Sequence, residues 1–246
     1  MDHVALKQPH FFYTTAPLPC PYIEGRFERK LVTELAGPDG KKLHEALSRA
    51  GFRRSHAIAY APACPNCRAC IPVRIRVDDF KPDRGMRRNL AANLQLSIVR
   101  GPARATGEQY HLFTRYQDAR HSGSDMALMG FYDYRSMVED SPIESFLVEM
   151  RGQDGHLKGV CLGDALSDGL SAVYSFYETL EPKRSLGTRI VLWLIEEAKR
   201  QGLPYVYLGY WIAESRKMSY KARFQPLEAF GPSGWVPLPQ KPTGNT

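Results

Sequence analysis

The chain has 246 residues, 43% hydrophobic and 24% charged, a globular composition that excludes collagen, coiled coil and wholesale disorder. It holds no apolar run near the roughly 18 residues that span a bilayer, and its start, Met1 to His10, lacks a basic stretch followed by an apolar one. Five cysteines in such a chain argue against a disulfide framework. The expected address is cytoplasmic, without a membrane partner. The net charge of +7 is uneven: residues 1–100 carry 17 Lys/Arg against 9 Asp/Glu, and residues 183–223 carry nine against three. Two basic regions flanking an acidic one point to a polyanion, nucleic acid first.

In chain order, the punctuated N-terminal stretch leads to a helix over about Lys41 to Ala50, with Gly51 at the left-handed position that ends it. Ile71, Val73, Ile75 and Val77 alternate with Pro72, Arg74 and Arg76, which predicts a half-buried strand with the two arginines exposed. Leu94, Leu96 and Ile98 repeat the alternation. Between them, Arg84, Arg87 and Arg88 share one helical face; each alone would also fit a solvated surface. A boundary is expected near Gly101–Gly107. Thr106 and Gln109 form a capping box opening a helix through Arg120. Strand-like runs 143–151 and 158–166 follow, the second joined through Ser167-Asp168-Gly169 to Leu170–Tyr177 as a hairpin. Ser185 is expected to cap a regular helix that Gly202 and Pro204 stop, and a strand from Tyr205 to Ile212 comes next. The tail, Gly231 to Thr246, is expected to fray.

Three constellations carry chemistry. Cys64, Cys67 and Cys70 stand at two-residue gaps, with Cys20 upstream. Four thiolates suit zinc or an iron–sulfur cluster, while packed thiols in a tight loop are the plainer reading. Cys161 sits in an apolar strand pattern and reads as core. The turn Lys183-Arg184-Ser185-Leu186-Gly187-Thr188 opens a helix and resembles the pyrophosphate-binding turn of the GNAT acetyltransferases, where a helix N-terminus attracts phosphate; Arg189 replaces its second small residue. From Tyr205 to Glu228, basic residues interleave with aromatics, which suits both unpaired bases and phosphates.

Further matches span the chain: Cys20-Pro21-Tyr22-Ile23-Glu24-Gly25-Arg26, Gly51-Phe52-Arg53-Arg54-Ser55, Arg115-Tyr116, Val173-Tyr174-Ser175-Phe176-Tyr177 and Tyr207-Leu208-Gly209-Tyr210-Trp211-Ile212. With the cysteine cluster and Arg184-Ser185-Leu186-Gly187, they resemble the bacterial branch of the arginyl-tRNA–protein transferase family, the aspartate/glutamate leucyltransferases. The resemblance implies an α+β chain: a cysteine-containing, basic N-terminal transferase domain (1–100) and a GNAT-like aminoacyl-transferase domain (101–246). It implies leucine transfer from Leu-tRNA to proteins with N-terminal Asp or Glu, a step of N-degron protein degradation, without a small-molecule cofactor.

For that reaction the candidates are Glu178, Tyr174, Ser175 and Tyr210 for catalysis. Arg120, His121, Trp211, Lys217, Lys221 and Arg223 are candidates for substrate binding. Arg74, Arg76, Arg84, Arg87, Arg88, Lys183 and Arg184 are candidates for tRNA binding, and Cys20, Cys64, Cys67 and Cys70 for the metal. Two alternatives stand beside it: a CoA-dependent GNAT N-acetyltransferase, and a non-enzymatic metal-bearing module that binds RNA or senses redox state.

Overall fold

Residues 9–238 are described in the computed structural model. The first strands are short: β1 (Tyr13–Thr14), β2 (Leu18–Pro19) and β3 (Phe27–Glu28). β4 (Lys30–Glu34), helix α1 (Gly40–Arg49), β5 (Arg53–Ser55) and β6 (Ile58–Pro62) follow. β1, β4, β6 and β5 form one small sheet in that order, and β2 pairs with β3. The chain then runs through β7 (Ile71–Arg76), α2 (Arg84–Ala92), β8 (Ser97–Pro102), α3 (Gly107–His121), α4 (Phe131–Glu139) and β9 (Ser145–Arg151). β10 (Leu157–Leu166), β11 (Gly169–Tyr177), α5 (Leu186–Arg200), β12 (Tyr205–Trp211), β13 (Leu227–Gly231) and β14 (Gly234–Pro237) complete it.

The main sheet has the order β14-β13-β7-β12-β11-β10-β9-β8. Its β11–β12 pair is parallel, which requires the crossover that α5 supplies; the neighbouring pairs are antiparallel. Val73, Ile75, Val148, Val206 and Leu208 pack with α2 and α5 on one face. Leu147, Leu162 and Phe176 pack with α3 and α4 on the other. Residues 71–102 thus contribute β7 and β8 to the sheet that residues 145–237 complete, so the sheet crosses the sequence boundary expected near residue 101.

Local chemistry sets several ends as the sequence predicts. Thr106 and Gln109 form the capping box of α3, and Gly51 takes φ +83° after α1. Other expectations change. Leu94 is 80% exposed in the turn after α2, because the buried Asn93 amide donates to Arg184 O at 2.9 Å and ends the helix there; the strand begins only at Ser97. Ser185 adopts φ +47° and makes no side-chain cap. The part of the tail that is described is ordered into β14, where Trp235 Nε1 donates to Arg49 O at 2.7 Å; residues 239–246 lie outside the described residues.

Arg74 is the main correction on β7. It is 8% exposed, not displayed. Its Nε donates to Glu228 at 2.7 Å, and its guanidinium lies 3.5 Å from the Tyr205 ring centroid and 4.4 Å from that of Trp235. Alternation told the two faces of β7 apart, and the second is covered at Arg74 while Arg76 stays exposed as expected.

β5 is tied to the main sheet by a buried ion pair. Arg54 Nε and Nη2 each donate to an Asp164 oxygen of β10 at 2.7 Å, and Ser145 Oγ donates to the same carboxylate at 2.8 Å. His44 of α1 lies 3.6 Å from Asp164, yet burial first of all holds its pKa down to about 4, so the imidazole is neutral. Removing one partner of such a pair leaves an uncompensated buried charge. Arg54→Met alone is expected to cost about 3–5 kcal/mol in denaturant unfolding, and Arg54→Met with Asp164→Leu distinctly less. Because the unfolded chain binds a proton at His44 between about pH 6.5 and about 4 that the fold excludes, stability falls as pH drops through that window, by roughly 3 kcal/mol from this group. His44→Gln should flatten that slope.

Candidate active site

β11 and β12 pair at Gly169–Ser171 against Tyr205–Tyr207. Beyond that no pairing joins them, although the strands run on to Tyr177 and Trp211. Main-chain carbonyls along such an opening need other partners, and two cations supply them. Arg53 Nη2, reaching in from β5, donates to Ala172 O at 2.7 Å and Val173 O at 3.0 Å on β11. Lys221 Nζ donates to Tyr210 O on β12 at 2.6 Å. Gly209 has φ +74°, and a Cβ there would lie 2.6 Å from Arg53 Cζ. The glycine lets the guanidinium lie against the strand.

Lys221 is 7% exposed; burial, and then the charge of Arg53, pushes its pKa down to about 7. The carbonyl contacts leave Arg53 Nη1 buried without a partner. Around these cations stand Tyr22, Tyr60 and Tyr210. Tyr210 donates to Tyr60 O at 3.0 Å, and burial first, then the neighbouring Tyr60 and Cys70, raises Tyr22 to about 12.

A second group gathers at the C-terminal end of α3. The Tyr116 ring lies 5.0 Å from Tyr177 and 5.5 Å from His121. Burial, then Lys217 and Arg120, holds His121 below the ordinary histidine value. Tyr220, under the influence of both Tyr177 and Arg53, links this group to the opening.

The structure therefore brings Arg120, His121 and Lys217 together and sets Lys221 apart from them at the opening. Trp211 ends β12 with its Nε1 buried and unpartnered. Arg223 lies elsewhere, 3.9 Å from Asp83 at the start of α2. Of the catalytic candidates, Tyr210 is a buried tie to β6. Tyr174 accepts from Gln117 Nε2 at 2.6 Å, and burial raises its pKa. Ser175 stands on β11 opposite Cys161. Glu178 faces a hollow of about 600 Å³ that His111 and Lys158 also line. Burial pushes its carboxyl up, but Leu180 N–H and Arg115 outweigh this and hold it below the usual range. It is an ion-paired anion, poorly suited to take a proton at neutral pH.

Arg84, Arg87, Arg88 and Lys183 are exposed. Arg76 pairs with Asp79, and Arg184 Nε pairs with Glu181 at 3.2 Å. Asn89 Nδ2 of α2 donates to Arg184 O at 2.8 Å, so α2 and the turn before α5 adjoin. At that turn a Cβ on Gly187 would sit 2.9 Å from the Tyr177 ring. An aromatic ring covers the small residue where the GNAT turn would admit a phosphate. Arg53 is the residue that sequence reasoning passed over. Its signal was the doublet Arg53-Arg54: neighbours on a strand point to opposite faces, so the pair could not both face one solvated side.

The cysteine loop adjoins the opening. Burial, then Cys20, Cys64 and Cys67, drives Cys70 up to about 12, so the four thiols share one neighbourhood. Cys67 is held below its usual value by the Ala69 N–H and by Arg26, whose Nη1 donates to it at 3.2 Å. Cys161 is fully buried. Four thiols are suitable donors for zinc or an iron–sulfur cluster, but their arrangement is not a ligand shell. Among the described residues no group of three or more His, Cys, Asp or Glu side chains is placed to hold a metal ion.

Comparison with known proteins agrees with this layout. The model of the arginine-tRNA-protein transferase N terminus matches residues 18–88 and that of its C terminus matches residues 108–231. An aspartate/glutamate leucyltransferase of Paramagnetospirillum magneticum is 70% identical over 235 residues, 96% of each chain. One of Rhodospirillum rubrum is 60% identical over 242 residues, 98% of each. Among solved structures, L-PGS from Bacillus licheniformis shares the fold at a TM-score of 0.50 and 11% identity, covering 64% of this chain and 57% of that one. With two family models in register and full-length relatives far above chance, the chain belongs to the arginine-tRNA-protein transferase family.

Proposed function

We propose that this protein transfers the leucyl group of Leu-tRNA to the α-amino group of proteins that begin with Asp or Glu, marking them for N-degron degradation. The observation that carries it is similarity along almost the whole chain to relatives named aspartate/glutamate leucyltransferase. The GNAT-like opening between β11 and β12 supports it, as does the ring over Gly187, which disfavours CoA as donor.

The chemistry asks little of a base. An α-amino group has a pKa near 8, so about a tenth is neutral at pH 7, and the leucyl ester is already activated. The neutral amine nitrogen attacks the ester carbonyl, the bond to the tRNA 3′ oxygen breaks, and the proton that the nitrogen loses ends on that oxygen by way of water, leaving an amide and a free 3′ hydroxyl. Rate then comes from positioning the two substrates. The raised Tyr174 and Tyr210 and the depressed Glu178 fit that division of labour, because none is poised to exchange a proton at neutral pH.

The tRNA lies on the face where α2, the turn before α5 and Arg223 meet. Arg84, Arg87, Arg88, Lys183 and Arg223 are its exposed cations. Arg74 does not belong to it. The four cysteines are proposed to close around one zinc ion or iron–sulfur cluster, and no step of the transfer runs through that group. Among the described residues no helix is long and apolar enough to cross a membrane.

Purified protein with labelled Leu-tRNA should label peptides that start with Glu or Asp and leave Lys- or Arg-initiated peptides unlabelled; equal labelling of all four contradicts the assignment. Arg87→Glu with Arg88→Glu should weaken tRNA binding and lower the slope of log affinity against log salt by about 2, whereas Arg74→Met should lower thermal stability and leave the slope alone. Anaerobically purified, active protein should hold metal that falls in Cys64→Ser and Cys70→Ser but not in Cys161→Ser. Active protein with less than about a tenth of an equivalent leaves the loop as packed thiols.

A further inference from the structure

Among the described residues the two fully buried arginines have anions. Arg54 has Asp164 at 2.7 Å, and Arg74 has Glu228 at 2.7 Å. The two cations in the opening have none: among the described residues the acceptors of Arg53 and Lys221 are the carbonyls of Ala172, Val173 and Tyr210. Lys221 is buried and Arg53 half-buried with its Nη1 atom enclosed, and in a niche walled by tyrosines the positive charge of either is costly without a counter-charge. Arg53 also keeps Nη1 buried with no acceptor. Fixed by carbonyls on either side, the cations are pre-organised for an anion that the described residues do not provide.

We propose that Arg53 and Lys221 together bind the side-chain carboxylate of the acceptor's first residue, so that the opening between β11 and β12 reads Asp and Glu and presents the adjacent α-amino group for attack. This rests on the leucyl-transfer reading and supplies its specificity-determining pair. A carboxylate suits the niche better than a tRNA phosphate does. A phosphodiester carries a nucleoside on each side and needs an open track, and the exposed cations of α2 already offer one. The forked geometry of Arg53 adds direction to the charge. Lys217 and Arg120 gather at His121, and Arg223 at Asp83, and this recognition needs none of them.

The test compares acceptor peptides, amidated at the C-terminus, that begin with Glu or with Gln. The readout is the ratio of their kcat/KM values, with KM for Leu-tRNA measured alongside. In the wild type the ratio should favour Glu strongly. In Arg53→Gln it should fall by about tenfold or more, with KM for Leu-tRNA unchanged, and Arg53→Lys should keep part of it. A merely structural role would lower both kcat/KM values and leave the ratio in place. A ratio that stands while KM for Leu-tRNA rises makes the anion a tRNA phosphate, and either result overturns the proposal. A measurement on wild-type protein covers a variant that does not fold. With peptides whose α-amine is dimethylated, so that it stays cationic but cannot be acylated, a water-soluble carbodiimide should activate the Glu carboxyl and join it to Lys221 as an amide, the reagent leaving as its urea, and should not join the Gln-initiated peptide, as mapped by mass spectrometry; attachment only to other lysines, or to none, overturns it. Wild-type protein that labels no peptide fails the functional assignment, whereas labelling with an unchanged ratio in Arg53→Gln fails the anion site alone.

Discussion

The separation of β11 from β12 is the constraint around which this molecule is arranged. Two parallel strands that part after Ser171 and Tyr207 leave main-chain carbonyls facing a gap, and unpaired buried carbonyls are costly. Arg53 and Lys221 meet that demand from opposite sides, one from the small N-terminal sheet and one from the segment after β12. The N-terminal unit is thereby part of the site. Arg54 locks it to β10, and its neighbour Arg53 reaches into the opening. Gly209 yields the room, and Tyr210 pins β12 back to Tyr60 on β6.

The same logic joins the basic regions that lie far apart in sequence. Asn89 of α2 and Asn93 just past its end both hold Arg184 O, and Arg223 approaches Asp83. A stripe from the first half and a stripe from residues 183–223 become neighbours on one face. On the proposed reading, the donor's phosphates and the acceptor's carboxylate are met by different cations, exposed and screened for the former, enclosed and fixed for the latter. Screening makes the first set sensitive to salt, and burial protects the second.

Much of the fold could be read from the sequence because it is set by local chemistry. The Thr106–Gln109 box, the left-handed Gly51 and the alternation of Ile71, Val73 and Ile75 each act within a few residues. The misreadings were tertiary. Arg74 alternates like a surface residue, yet Trp235 and Glu228, more than 150 positions away, cover it. Leu94 continues a pattern of apolar alternation, but an asparagine contact to another element decides where the helix ends. For the site, the sequence pointed to the strand ends and to Lys221. The Arg53-Arg54 doublet hinted at Arg53, but its importance lies in what it lacks, an anion, and that is visible only once its neighbours are known.

The most direct measurement is a crystal structure of the protein with a C-terminally amidated peptide beginning in Glu. The expected result places the glutamate carboxylate within hydrogen-bond distance of Arg53 Nη1 and Lys221 Nζ, between β11 and β12, with the α-amino group turned toward the open side. A peptide bound elsewhere, or one whose carboxylate is held by Arg120 or Lys217 while Arg53 Nη1 stays unpartnered, would contradict it.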